Sequence, residues 1–332
     1  MSKFTPMVNI GRFKMKRRGL SPEFLKALKS GFLQPVLKRV KNDDTLMLAI
    51  RDGYINIYYR GGSIVKITEC NRFFKFHFDI KYDLSEDHKT YKTLKLEKKI
   101  TDQAQTKKWV SSISTLKELM DFWFNKNPRI EREFQQLVQR ENNRSSISGE
   151  TEYFITDIEI AASDIGAKFD MIAIKWVAKK RKNGKNCRAS FIEMKYGDKA
   201  LGDKSGLIKH IEDIDKFLSN KNNHSSILEV MTTQFNQLDD LGLLKFKHSK
   251  NKTTVELSPS YKPEFIFLLA NHNPRSSKLK NILTDSKFKK YIASEYFDLR
   301  FYVSSDAGYG MNDYNMLSYE QYLSRFCDGK KL

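Results

Sequence analysis

The sequence predicts an α/β protein: a mixed central sheet flanked by helices, preceded by an antiparallel β-rich unit. Three observations predict it. Between Thr45 and Tyr82, four short β-branched or aromatic runs are separated by turn dipeptides, the pattern of a meander. From residue 129 onward, apolar runs of strand length alternate with stripes at helical spacing, in the order α, β-β-β, α, β-α-β. Charge also divides the chain. Its 332 residues carry 59 Lys and Arg against 40 Asp and Glu, a net charge of +19 with a pI near 9.6. Residues 1–130 hold 27 of those basic residues but only 13 of the acidic ones, so the surplus is concentrated in front.

A surplus of this size costs self-repulsion, and a polyanionic partner is one way of offsetting it. Cys70, Cys187 and Cys327 lie far apart with no pair at CxxC spacing, which argues against a zinc site or a disulfide framework. Residues 1–18 alternate single apolar residues with basic ones and lack the apolar run of a secretory signal. No stretch approaches the roughly 20 apolar residues needed to span a bilayer. The expectation is a cytoplasmic protein without a membrane partner.

Element by element, Lys16-Arg17-Arg18 precedes Ser21-Pro22-Glu23, which reads as an N-cap with Pro at the first helical position and predicts a short helix to about residue 30. The meander consists of Thr45–Arg51, Tyr54–Arg60, Ser63–Cys70 and Phe73–Tyr82, separated by Asp52-Gly53, Gly61-Gly62 and Asn71-Arg72. Phe74, Phe76 and Phe78 alternate with Lys75, His77 and Asp79, so one face is buried. Such aromatics fit a core better than a base-stacking platform. Residues 83–108 read as a polar link, and a helix is expected from about Thr115 to Phe124, ended by Asn127-Pro128. The domain boundary is drawn between residues 115 and 116.

The second part opens on a helix over 129–141, with Ile130, Phe134, Leu137 and Val138 as its apolar stripe. Strands are expected at Tyr153–Ala161, Lys168–Ala178 and Arg188–Tyr196. The turn Ser163-Asp164-Ile165-Gly166 joins the first two, and a basic hairpin over 179–186 joins the next two. Helices over 205–218 and 225–241 follow, then strands Glu264–Ala270 and Phe297–Ser304 with a helix between them. The Gly-rich segment Ser305–Gly310 lacks a phosphate-loop pattern and reads as a turn, with Tyr302 and Tyr309 as packing residues.

Within this frame, two apolar strands carry acids. Asp170 interrupts Phe169-Asp170-Met171-Ile172, and in Phe191–Lys195 the residues Glu193 and Lys195 share one face. Buried charges need partners or a metal, and a hairpin brings the two strands together, so the two carboxylates can meet with Lys195 beside them. Two carboxylates offer hard oxygen ligands to Mg²⁺ or Mn²⁺, and a neighbouring lysine can orient a water or offset charge on a phosphoryl transition state.

Asp170 followed by Glu193-x-Lys195 resembles the motif of the PD-(D/E)xK nuclease superfamily, and the order of elements over residues 129–305 is similar too. Phe169 stands where many members carry Pro. The resemblance implies a restriction-endonuclease-like core in residues 116–332, metal ligation by Asp170 and Glu193, and positioning of the nucleophilic water by Lys195. It also implies a Glu on the preceding helix, for which Glu133 is preferred over Glu141, and a polar residue on the following helices, with Lys209, His210 and Gln234 as options. Otherwise His210 and His272 read as surface histidines without a metal-spaced companion.

The expectation is therefore a Mg²⁺-dependent nuclease acting on nucleic acid, DNA ahead of RNA, with residues 1–115 as a basic accessory domain for substrate or partner. Cleavage of foreign nucleic acid, as in restriction or antiphage defence, is the role suggested by fold-level analogy. The alternatives are a non-catalytic nucleic-acid-binding protein on a degenerate nuclease fold, and a subunit whose basic surface serves a protein partner. The basic hairpin over 179–186 reads equally as a phosphate grip or a solvated turn. Nothing in the sequence excludes a homo-oligomer.

Overall fold

Helix α1 (Pro22–Lys29) begins at the predicted cap: the Ser21 hydroxyl accepts from the Phe24 amide at 2.9 Å, with Pro22 in the first turn. This computed structural model describes residues 18–146, 150–162, 167–202, 206–246, 253–271, 273 and 276–327. Lys16-Arg17, the turn at 163–166 and His272 lie outside them. A second helix, α2 (Gln34–Lys41), packs Val36, Leu37 and Val40 beneath the first sheet.

That sheet is antiparallel throughout, in the order β1 (Leu46–Ile50), β2 (Tyr54–Tyr59), β3 (Gly62–Cys70), β4 (Phe73–His77) and the short β5 (Lys99–Ile100). Alternation sets its faces. Phe74 and Phe76 point into the core with Ile67 and Ile100, whereas Lys75 and His77 point out. Both faces of β1 are covered. Leu46, Leu48 and Ile50 join the main apolar cluster, while Met47 and Ala49 join a second one with Val138, Ile155, Ile158 and Met171. Strand β1 thus joins the first sheet to the second part of the chain.

A small helix α3 (Lys89–Thr93) precedes β5, and then comes α4 (Gln103–Lys126), where the structure departs from the expected link and short helix. Asp102 caps it, accepting from the Gln105 amide at 2.9 Å. Its buried stripe runs Thr106, Trp109, Ile113, Leu116, Met120, Phe124. Lys107-Lys108 and Ser111-Ser112 fill the solvent side of its first turns, so the stripe looks sparse in the sequence, yet its spacing of three and four is helical from Thr106 on. The boundary drawn at 115/116 falls inside this helix. The break in the chain comes at 127–129, and one apolar cluster runs through both parts, from Phe24, Phe76 and Trp109 to Phe154 and Phe235.

The second sheet follows the predicted strands closely. Helix α5 (Ile130–Asn143) leads into β6 (Tyr153–Ala162), β7 (Ala167–Lys175) and β8 (Arg188–Tyr196), an antiparallel set. Helices α6 (Leu207–Ser219) and α7 (Lys221–Asp240) then cross over to β9 (Glu264–Ala270), and α8 (Ser277–Thr284) and α9 (Ser286–Lys289) cross to β10 (Asp298–Val303). The spatial order is β10-β9-β8-β7-β6, with β8, β9 and β10 parallel. Every residue of β9 is buried, as suits an interior strand covered on both faces. After β10, the Gly-rich segment forms a one-turn helix α10 (Ser304–Ala307), ended by Gly308 at φ 76°, and α11 (Tyr319–Phe326) closes the chain with a capping box on Ser318 and Gln321. No described helix is long and apolar enough to cross a membrane.

Helix α5 differs from expectation in its phase. Ile130, placed on the apolar stripe, is 47% exposed, and the buried face carries Gln135, Gln136, Gln139, Asn142 and Asn143 beside Val138. Three of these amides, Gln136, Asn142 and Asn143, splice neighbouring backbones together. Gln136 accepts from the Gly61 amide at 2.8 Å and donates to the Thr45 carbonyl at 2.7 Å, and Asn143 brackets the amide and carbonyl of Ile155. Buried amides of this kind persist because they are hydrogen-bonded.

Cys187 offers a test of the packing. Burial pushes its thiol up to about 12, against the pull of Arg181, while Cys70 and Cys327 are partly exposed. Because the thiolate is the reactive form, Ellman's reagent at pH 8 is expected to find two accessible thiols in the native protein. The third should appear only as guanidinium unfolds the chain. Three fast thiols would show that the core around Cys187 is open.

Candidate active site

The site lies where the antiparallel hairpin meets the parallel strands. Ladder pairing between β7 and β8 runs from Lys175↔Arg188 to Met171↔Ile192 and stops there. One step further on, Asp170 stands across from Glu193, and a side chain takes over from the ladder: the Asp170 carboxylate accepts the Met194 amide at 2.9 Å. Asp170 is thereby held between the two functional residues of Glu193-Met194-Lys195. All three are buried, at 7%, 4% and 5% exposure for Asp170, Glu193 and Lys195. Ile192 and Met194 turn the other way into the second apolar cluster, and that alternation is what presents Glu193 and Lys195 together.

Glu193 is the hub. The Lys195 ammonium donates to its Oε1 at 2.7 Å, and His210 Nε2, from the first turns of α6, lies 2.9 Å from the same atom. Burial pushes the Glu193 carboxyl up, but the bonds from His210 and Lys195 outweigh it and leave the group below its ordinary value. Asp170 goes the other way. Burial, then the charge of Glu193, holds its carboxyl well above the usual range, against the Met194 amide. Two neighbouring carboxyls pushed apart in this manner mark a candidate functional site.

A third acid comes from α5, and it is Glu131 rather than Glu133. Glu131 is half-buried, faces the Tyr196 backbone amide, and is raised above its ordinary value by burial, with Lys195 and Glu193 close enough to act on it. Glu133 is turned to the first sheet, where Arg60 bonds it at 2.9 Å. Glu141 pairs with Arg140 at 2.9 Å. One turn along from Glu131, Gln135 is fully buried, and among the described residues neither of its amide atoms has a hydrogen-bond partner. Beside this group, Glu159 on β6 holds a left-handed conformation at φ 49° and bonds Arg132 at 2.9 Å. A non-glycine residue in that region carries backbone strain.

The remaining candidates separate cleanly. His210, one of the three options on the following helices and otherwise read as a surface histidine, reaches Glu193. Lys209 pairs with Asp213 on the exposed side of α6. Gln234 is buried, but it bonds the Ile50 carbonyl and Asp157, both at 2.8 Å, away from Glu193. The basic hairpin over 179–186 follows Lys175, five residues along β7 from Asp170, so at about 3.3 Å per residue it sits roughly 17 Å away at the opposite end of the sheet. Its Arg181 is buried against the carbonyls of Trp176 and Thr151.

Chemically, the arrangement gathers carboxylates, one ammonium and one imidazole at the carboxyl ends of parallel strands, where open α/β sheets place ligands. Among the described residues, no group of three or more His, Cys, Asp or Glu side chains is gathered tightly enough to hold a metal unaided. The donors do suit a hard cation that keeps several waters and borrows oxygen from its substrate. Asp170 and Glu193 could supply two oxygen ligands, a cation would offset their mutual repulsion, and the unpartnered amide of Gln135 lies one helical turn from Glu131. Comparison with protein families, curated proteins and solved structures finds no match to this chain.

Proposed function

We propose that the chain is a metal-dependent nuclease that hydrolyses phosphodiester bonds in nucleic acid, DNA ahead of RNA, on a site of PD-(D/E)xK type. The observation that carries the reading is the bond from the Met194 amide to Asp170, which seats one acid of the hairpin between Glu193 and Lys195 of the other. Asp170 and Glu193 would hold Mg²⁺ or Mn²⁺, whose chemistry is to polarise a phosphate oxygen and acidify a bound water. Lys195, bonded to Glu193, would orient the attacking water and offset charge that develops on phosphorus-bound oxygen. His210 holds Glu193 from the other side, fixing its orientation. Glu131, half-buried beside Lys195 and Glu193, adds an acceptor.

The test is incubation of the full chain with plasmid, single-stranded DNA and RNA, in Mg²⁺ or EDTA, for the wild type and Lys195→Ala. Expected are cleavage in Mg²⁺, none in EDTA, and a loss of about 10²- to 10³-fold in the variant, the usual cost of deleting one transition-state donor. Absence of Mg²⁺-dependent cleavage of all three substrates by the wild type would refute the proposal.

A further inference from the structure

The outward face of the first sheet carries lysines that stand in two cross-strand rows. The registers Tyr54↔Thr68, Thr68↔Lys75 and Lys75↔Lys99 align one row over β2 to β5, and Asn56↔Lys66 and Lys66↔His77 align the next. Lys75, His77, Lys98 and Lys99 are exposed and Lys66 is half-exposed. The Lys66 ammonium lies 4.0 Å from the Tyr54 ring centroid and the Lys99 ammonium 4.9 Å from that of Phe73. Among the described residues, none of Lys66, Lys75, Lys98 and Lys99 has a carboxylate partner. The nearby Asp79 is paired with Lys81.

Like charges directly across a ladder destabilise a sheet, and Lys75 stands opposite Lys99. Partial burial, together with Lys98, Lys66 and Lys75, holds the His77 imidazole below its ordinary value against the pull of Asp79, as expected where ammonium groups crowd. The face also leads toward the candidate site. Strand β2 ends in the turn Arg60-Gly61, which packs against Arg132 in the first turns of α5, and Arg132 bonds Glu159 beside Glu131.

We infer that this face, through Lys66, Lys75 and Lys99, binds the phosphate backbone of the nucleic-acid substrate and leads it to the site at Asp170 and Glu193. The backbones of Lys75 and Lys99 stand one strand apart, roughly 5 Å, Lys66 lies diagonally on the next row, and Tyr54 and Phe73 offer ring faces beside the Lys66 and Lys99 ammonium groups. The inference names the binding surface of the nuclease proposed above and rests on that reading for its substrate.

The experiment uses the full chain and fluorescein-labelled 30-mers, single- and double-stranded, in anisotropy titrations over a KCl series without Mg²⁺. Wild type is compared with Lys66→Gln/Lys75→Gln/Lys99→Gln and with Lys221→Gln/Lys287→Gln/Lys289→Gln, an equal charge loss on exposed helices elsewhere. All six side chains lie outside the core, and circular dichroism checks the fold. With about 0.7–0.9 counterions released per phosphate contact, the face variant is expected to lose two to three from the slope of log K against log salt. Its affinity should fall more than tenfold, while the control stays within twofold of wild type. Equal affinity and slope for face variant and control would overturn the inference. Plasmid cleavage in Mg²⁺ separates the two readings. Cleavage with no loss of binding in the face variant sinks the face and keeps the nuclease. Face-dependent binding without wild-type cleavage does the reverse.

Discussion

Asp157→Ala is expected to cost about 4 kcal/mol and to lower the melting temperature by roughly 6 °C. Asp157 has no exposed side-chain surface. It accepts from Arg18 at 2.7 Å, from Gln234 at 2.8 Å, from its neighbouring Ile158 amide at 2.9 Å and from Arg51, whose guanidinium also reaches the Ile158 carbonyl at 2.9 Å. Gln234 extends the chain of bonds to the Ile50 carbonyl. One carboxylate therefore ties the end of β1, strand β6, helix α7 and the segment before α1. An ion pair this deep contributes little net stability compared with an apolar pair of the same shape. Removing one member is another matter, because it leaves a desolvated Arg51, 6% exposed, without its counter-charge. The internal comparison is Asp240→Ala, which breaks the pair with Lys29 between side chains 33% and 44% exposed and should cost under about 1 kcal/mol. If the two variants melt together in a thermal scan, the buried network is not what holds the two parts of the chain against each other.

The contrast between these pairs also shows what the sequence could and could not convey. Strands were legible because burial on both faces leaves continuous apolar runs such as Glu264–Ala270, and an acid within such a run stands out, which is how Asp170 and Glu193 came to notice. Helix α5 was misread for the opposite reason. Its inward face contains Glu131, Gln135, Val138 and Asn142 at spacings of four, three and four, but hydrophobic periodicity takes a polar stripe for the solvent side. A phase set on Ile130 and Phe134 favours Glu133. Two residues along a helix is a turn of roughly 200°, so Glu133 faces Arg60 while Glu131 faces the strands.

His210 is one of three polar options that the sequence offers on the helices that follow β8, without ranking them. Its partner Glu193 sits on another element, and only the crossing of α6 over the sheet brings them to 2.9 Å. The bonds of Asp157 have no sequence signal for the same reason, since no spacing rule links a strand acid to an arginine 106 positions upstream. Helix α4 is the case where a signal existed: Asp102 as cap and a stripe from Thr106 to Phe124 at spacings of three and four, masked by its lysines and serines.

Asp170→Asn should have the opposite signature to Asp157→Ala: about a 10³-fold or larger loss of Mg²⁺-dependent cleavage, with a melting temperature in EDTA equal to or above that of the wild type. The reasoning is geometric. An amide at position 170 still accepts the Met194 amide, so the end of the hairpin keeps its bond, while one of two buried like charges facing each other disappears. Residues that lower stability in the resting protein and are indispensable in the working one are the expected cost of a site built to receive a ligand. The ligand completes the comparison. Mg²⁺ at 100 times its dissociation constant adds about 3 kcal/mol to a folded state that binds it, so saturating Mg²⁺ should raise the melting temperature of the wild type and leave Asp170→Asn unmoved. A variant that melts as early as Asp157→Ala, with Mg²⁺ shifting neither protein, would make Asp170 a structural residue that only ends a β-ladder.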